Sequence, residues 1–184
     1  MSIGIVIEPP RVAVPPEDEP VFEIIECQRV EFPQLSILGT RVQSQLHLEI
    51  AVFAANHHLG ESLVGLLVHL PAPVNRYRRL DLAFVSAQRI AQAPPQDGSE
   101  SAWEIVPDLV VEIINKYDFF EEMMNCVAEY FEAGVRLVWI ICPKQKIVSV
   151  HESPTKIRVL NDKDELDGGT LLPGFRVSIA SLFP

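Results

Sequence analysis

Residues 107–114 read PDLVVEII, and the fold turns on how they are read. Pro107 closes off what precedes it. The run that follows is apolar on both faces and too short for a helix, which is the pattern of a strand buried on both sides of a sheet. Beyond it comes the best-marked helix in the chain. Phe119, Met123, Val127, Tyr130 and Phe131 form an apolar stripe at helical spacing. Asp118 reads as its cap and Glu121 as the partner in a capping box, together satisfying free amides of the first turn. Gly134 stands where a helix end favours a left-handed residue, and VRLVWIIC (135–142) then reads as a second buried strand.

Working outward from this strand–helix–strand unit, Leu82–Ser86 reads as a strand, as does LVGLLVHL (63–70), closed by Pro71 and Pro73. From Thr40 to His58, Val42, Leu46, Ile50, Phe53 and Ala54 recur at helical spacing, with Gly60 as the stop signal. VFEIIE (21–26) and LSIL (35–38) read as short strands, and 88–107, with Pro94, Pro95, Gly98 and Ser99, as a long connection. On the C-terminal side PKQK (143–146) reads as a turn. KIVSVHE (146–152) and KIRVL (156–160) follow as a hairpin whose Lys144, Lys146, Lys156 and Arg158 make a solvated edge. The expected class is α/β, a mixed central sheet flanked by helices. Residues 8–20 (EPPRVAVPPEDEP) combine proline with acid, so 1–20 is expected as an irregular arm and 21–184 as a single domain.

The formal net charge of −10 argues against indiscriminate DNA binding. The deficit is uneven: residues 1–26 carry six acids against Arg11, a balance of −5, so the other 158 residues share −5 and keep a local cluster at Arg76, Arg78 and Arg79. Cys27, Cys126 and Cys142 form no CxxC pair, so neither a disulfide framework nor a zinc site is indicated. No apolar run approaches a membrane span and no signal-peptide pattern opens the chain; the expectation is a soluble protein of the cytoplasm.

Glu112 is the residue that asks for an explanation. An acid flanked by DLVV and II is costly to bury without a partner, a cation or a shifted pKa. Asp81, at the start of another strand, reads on its own as a surface acid paired with Arg78 or Arg79. Glu49 sits at the edge of the first apolar stripe, and a solvated edge is its plain reading. His57 and His58 are adjacent and so make no metal pair, and His47 has no evident partner. Asp108 reads as a strand opener, and Cys126 as a small core hydrophobe without a base to activate it.

Three stretches taken in order carry a family likeness: RRLDLAFVS (78–86), PDLVVEII (107–114) and AEYFEAGVRLVWIICP (128–143), with LLPGF (171–175) near the end. Together they resemble the Uma-type family of restriction endonuclease-like domains, a group of unknown function in the PD-(D/E)XK nuclease superfamily. The likeness covers roughly residues 20–184, and the 22 positions from Glu112 to Gly134 fit its spacing. It implies a restriction-endonuclease-like fold and a Mg²⁺-dependent (or Mn²⁺-dependent) DNA endonuclease, with DNA as partner and a homodimer as the assembly that presents two sites to a duplex. It also implies that Asp81, Glu112 and the carbonyl of Ile113 are the metal ligands, an all-oxygen set that suits a hard cation.

The chain departs from the pattern in two places. Leu80 stands where the family has proline. Cys126, fourteen positions after Glu112, stands where the family keeps its lysine, and the superfamily's other lysine position is Ile114. Lys116 is the one lysine close by in sequence and the candidate catalytic replacement. The alternative is a catalytically degenerate nuclease-fold protein that binds nucleic acid or a protein partner.

Overall fold

The computed structural model describes residues 21–25, 28–32, 35–93, 102–115 and 118–183. The expected arm at 1–20, Lys116 and Cys27 lie outside them. The chain divides into two units, Met1–Gln34 and Leu35–Pro184. In the first, β1 (Val21–Ile25) and β2 (Gln28–Phe32) pair antiparallel, with Ile25 opposite Gln28.

The second unit opens on α1 (Ile37–His57). LSIL is therefore not a strand. Ser36 is the N-cap and its hydroxyl accepts the Gly39 amide at 3.1 Å, which recruits the following residues into the first turn. Val42, Leu46, Ile50 and Ala54 form the fully buried stripe. The stop is His58, in the left-handed region at φ 53°, rather than Gly60. Gly60 is required for a different reason: it has φ +145°, and a Cβ there would lie 2.0 Å from the Val85 carbonyl oxygen.

β3 (Gly60–Leu70) and β4 (Arg76–Ser86) form a long hairpin. A short helix, α2 (Ala87–Gln92), occupies the start of what reads in sequence as an unbroken connection. Then come β5 (Leu109–Ile113), α3 (Phe120–Ala133), β6 (Leu137–Cys142), β7 (Ile147–His151) and β8 (Ile157–Leu160). The six strands lie in the order β3-β4-β5-β6-β7-β8, antiparallel throughout except for the parallel β5–β6 pair joined by α3. β9 (Glu165–Gly168) and β10 (Leu172–Ser178) form a separate antiparallel pair, followed by a 3₁₀ turn at Ile179–Leu182.

Each face of the sheet has its own core. Leu82, Phe84, Leu109, Val111, Ile113, Trp139 and Ile141 pack with α1, β10 and the 3₁₀ turn. Leu80, Ala83, Val110, Val138 and Ile140 pack with Val127 and Tyr130 of α3. No helix among the described residues is long and apolar enough to cross a membrane.

Asp108 is not merely a strand opener. Only 1% exposed, it accepts the Ser86 amide at 2.8 Å and pairs with Arg89 at 3.1 Å and Arg136 at 3.4 Å. Arg89 also donates to the carbonyls of Val106, Pro107 and Gly134. One buried carboxylate thus ties α2, the entry to β5 and the end of α3. Asp108→Ala should cost about 2 kcal/mol in urea unfolding, below the range for a sealed pair because Arg89 keeps contact with solvent. A change under ~0.5 kcal/mol would mean that the network is ornamental.

Candidate active site

Leu82 packs on the α1 side, yet Leu80, two residues earlier, packs on the α3 side. Alternation along β4 therefore breaks at Asp81. The β3–β4 ladder shows the same break: it pairs Val64 with Leu82 and Leu66 with Leu80, leaving Gly65 between them at φ +63°. Gln43 of α1 takes advantage of the gap, donating through Nε2 to the Asp81 carbonyl at 2.7 Å. Its backbone acceptor so engaged, Asp81 is held at a seam in the sheet.

The partner strand supplies the second carboxylate. β4 and β5 pair Leu82 with Val111 and Ala83 with Val110. Continued by one pair, that register sets Asp81 opposite Glu112, and cross-strand partners share a face. Asp81 Oδ2 accepts the Ile113 amide at 2.8 Å, so the side chain takes an N–H at the point where the ladder ends. Glu112 follows Val110 onto the α3 face, where the Tyr130 hydroxyl donates to its Oε1 at 2.6 Å. Each half-buried carboxylate is fixed through one oxygen and keeps the other without a partner among the described residues.

The electrostatics follow from this crowding. Burial pushes Asp81 up to about 6, against the pull of the Ile113 amide and with a push from Asp118. Burial pushes Glu112 up to about 8, helped by the charge on Asp81 and, less, by Asp118; Tyr130 and Arg78 act the other way. Tyr130 is held well above its usual value by burial and then by Glu112, so it remains a donor. Two neighbouring carboxylates thus resist sharing full charge.

Asp118 departs from the sequence reading. Phe119 is the N-cap of α3 and no side chain caps it. Asp118 instead accepts the Asn115 amide at 2.6 Å, with Asp81 and Glu112 within reach of its charge. Tyr130 and Arg78 also escape sequence reasoning, since one reads there as core and the other as surface. Cys126 matches its plain reading: half-buried against the α3-side core, its thiol is raised by burial and is not activated. Glu49 accepts from Gln45 at 2.8 Å, and His47 has Ser62 at 3.0 Å.

Surface concavities lie elsewhere among the described residues, such as one of about 260 Å³ beside Arg136, Glu152, Arg158 and Asp167 and another of about 440 Å³ beside Arg41, Leu48 and Ser181. In the first, Arg158 is paired to Asp167 at 3.1 Å. The Asp81–Glu112 seam remains the candidate.

The family model described as "Uma2: Putative restriction endonuclease" matches residues 13–180. Among solved structures the chain is similar to one described as a putative nuclease belonging to DUF820 from Anabaena variabilis ATCC 29413. The TM-score is 0.73 at 19% sequence identity, over 91% of this chain and 92% of that one. At that identity the likeness speaks for the fold, a nuclease-like mixed sheet flanked by helices. No curated protein matches the chain.

Proposed function

Because the chain belongs to the Uma2 family of restriction endonuclease-like proteins, we propose that it is a Mg²⁺-dependent DNA endonuclease hydrolysing phosphodiesters at the Asp81–Glu112 seam. One observation carries this reading: two carboxylates from adjacent strands, each tied through one oxygen and each raised in pKa.

The donor set fits a hard cation. Among the described residues no three His, Cys, Asp or Glu side chains form a ready metal cage. Mg²⁺, however, keeps several waters and needs only one or two carboxylates, here with the Ile113 carbonyl as third protein ligand; Mn²⁺ accepts the same oxygens. Such a cation supplies charge stabilisation at a phosphoryl oxygen and lowers the pKa of an attacking water. The protein's own part is positional. Tyr130 fixes the Glu112 rotamer, the Ile113 amide fixes Asp81, and Gln43 fixes the β4 backbone beneath it. Lys116 is the sequence's candidate for the positive charge. A closed two-fold homodimer would present two such sites to a duplex.

The second reading, a degenerate relative that binds nucleic acid or protein without cutting, is favoured by Cys126, whose thiol is packed into the α3-side core where the family keeps lysine. Purified protein incubated with single-stranded, linear duplex and supercoiled DNA separates the two. Cleavage that requires Mg²⁺ or Mn²⁺ and stops with EDTA is the expected result. DNA binding without cleavage under any of these conditions would select the second reading.

A further inference from the structure

Resting on the nuclease reading above, we propose that Arg78 is the site's positive charge, a catalytic residue that contacts the phosphate brought to Asp81 and Glu112. Arg78 lies three residues before Asp81 on β4. Its cross-strand partner is Val68, buried in the α3-side core, and the next residue on its own face is Leu80 in that same core. Arg78 is therefore on the face of the sheet that carries Glu112.

Consecutive residues of α3 hold the two groups. Glu129 Oε2 accepts from Arg78 Nε at 3.0 Å and from Nη2 at 2.6 Å, while Tyr130 donates to Glu112. Adjacent positions of α3 thus anchor the guanidinium and the carboxylate. The grip does not exhaust Arg78. A guanidinium has five N–H donors, and two are committed to Glu129. Nor is its charge cancelled, because Glu129 is shared with Arg76 at 2.9 Å, so the three-residue cluster keeps a net positive charge.

Cys126 lies one turn of α3 before Tyr130, within reach of the charges of both Arg78 and Glu112. The Arg78 charge is felt at Cys126 and, more weakly, at Glu112 and Tyr130. Arg78 is 27% exposed, enough for a phosphate to reach a free N–H. A planar guanidinium also suits the phosphate's paired oxygens better than an ammonium would.

The test compares wild type, Arg78→Ala, Arg78→Lys and Lys116→Ala in three assays: plasmid cleavage with Mn²⁺, Mn²⁺ affinity by calorimetry, and salt-dependent binding of a fluorescent duplex without metal. Arg78→Ala should bind Mn²⁺ within about threefold of wild type, cut roughly 10²–10³-fold more slowly, and lose about one unit of salt slope in DNA binding. Arg78→Lys should recover part of both losses, and added guanidinium should partly rescue Arg78→Ala cleavage, which a structural role would not allow. Cleavage at wild-type rate by Arg78→Ala, above all if Lys116→Ala is dead, overturns this assignment and leaves the nuclease reading intact. A wild type that neither binds Mn²⁺ nor cuts overturns both.

Discussion

Glu112→Gln should abolish metal-dependent cleavage and at the same time stabilise the metal-free protein above neutral pH. The two halves share one cause. Glutamine keeps an oxygen to accept the Tyr130 hydroxyl, so the packing of α3 on β5 survives. What is lost is the negative charge, and with it the proposed ligand for a hard cation; forfeiting several kcal/mol of charge stabilisation should slow cutting by roughly 10³-fold or more. The metal-free protein, however, no longer has to ionise a carboxylate that burial and Asp81 hold at about 8. At pH 8.5 the variant should melt higher than wild type by roughly 5 °C, on the order of 2 kcal/mol for a chain of this length. At pH 5, where Glu112 is already protonated, the two should coincide. Cleavage unaffected by the substitution would remove the chemistry from this seam altogether, and a variant destabilised equally at both pH values would show that the charge on Glu112 is no burden.

The second large effect is on the wild type. Both site carboxylates have folded-state values above their ordinary ones, about 6 for Asp81 and about 8 for Glu112. Between the ordinary carboxylate range and those values the folded chain holds more protons than the unfolded one. Its stability therefore falls as pH rises, the opposite of the usual acid denaturation. From pH 5 to pH 8.5 these two groups should remove on the order of 3 kcal/mol from the metal-free protein. On the proposed metal reading, a bound divalent cation would reverse that loss by supplying the missing charge. Millimolar Mn²⁺ should therefore raise the melting temperature by several degrees at pH 8.5 and hardly at all at pH 5, where protons compete for the same oxygens. The measurement is a thermal scan in EDTA and in Mn²⁺ across that range, with an Asp81→Asn/Glu112→Gln control. A cation shift of equal size in the control would place the ion elsewhere.

Elements whose signal is local are legible in the amino-acid pattern alone. PDLVVEII and VRLVWIIC read as buried strands because their apolar runs need partners on both faces, and they became β5 and β6. The i, i+4 stripe of Val42, Leu46, Ile50 and Ala54 was similarly legible and is fully buried. Gly134 is left-handed where α3 ends, because that position calls for φ > 0 and glycine adopts it without strain. Glu112 was legible as an anomaly, a charge inside an apolar run, and Asp81 became interpretable only beside the family pattern.

Most of the remaining features depend on contacts between residues far apart along the chain. Helix caps depend on competing acceptors. Ser36 turned LSIL into a helix start by capping Gly39, whereas Asp118, a capping residue by type, spent its carboxylate on Asn115. The buried role of Asp108 depends on Arg89 and Arg136, 19 and 28 positions away along the chain, and no local pattern records such partners. The candidate site comes from a break in alternation at Asp81 opposite Gly65, together with a β4–β5 register that sets Asp81 across from Glu112. Strand register is set by long-range packing of both faces at once, so neither Tyr130 on Glu112 nor Arg78 on Glu129 could be read from spacing. A sequence lists the charges a chain must accommodate; the sheet decides which of them meet.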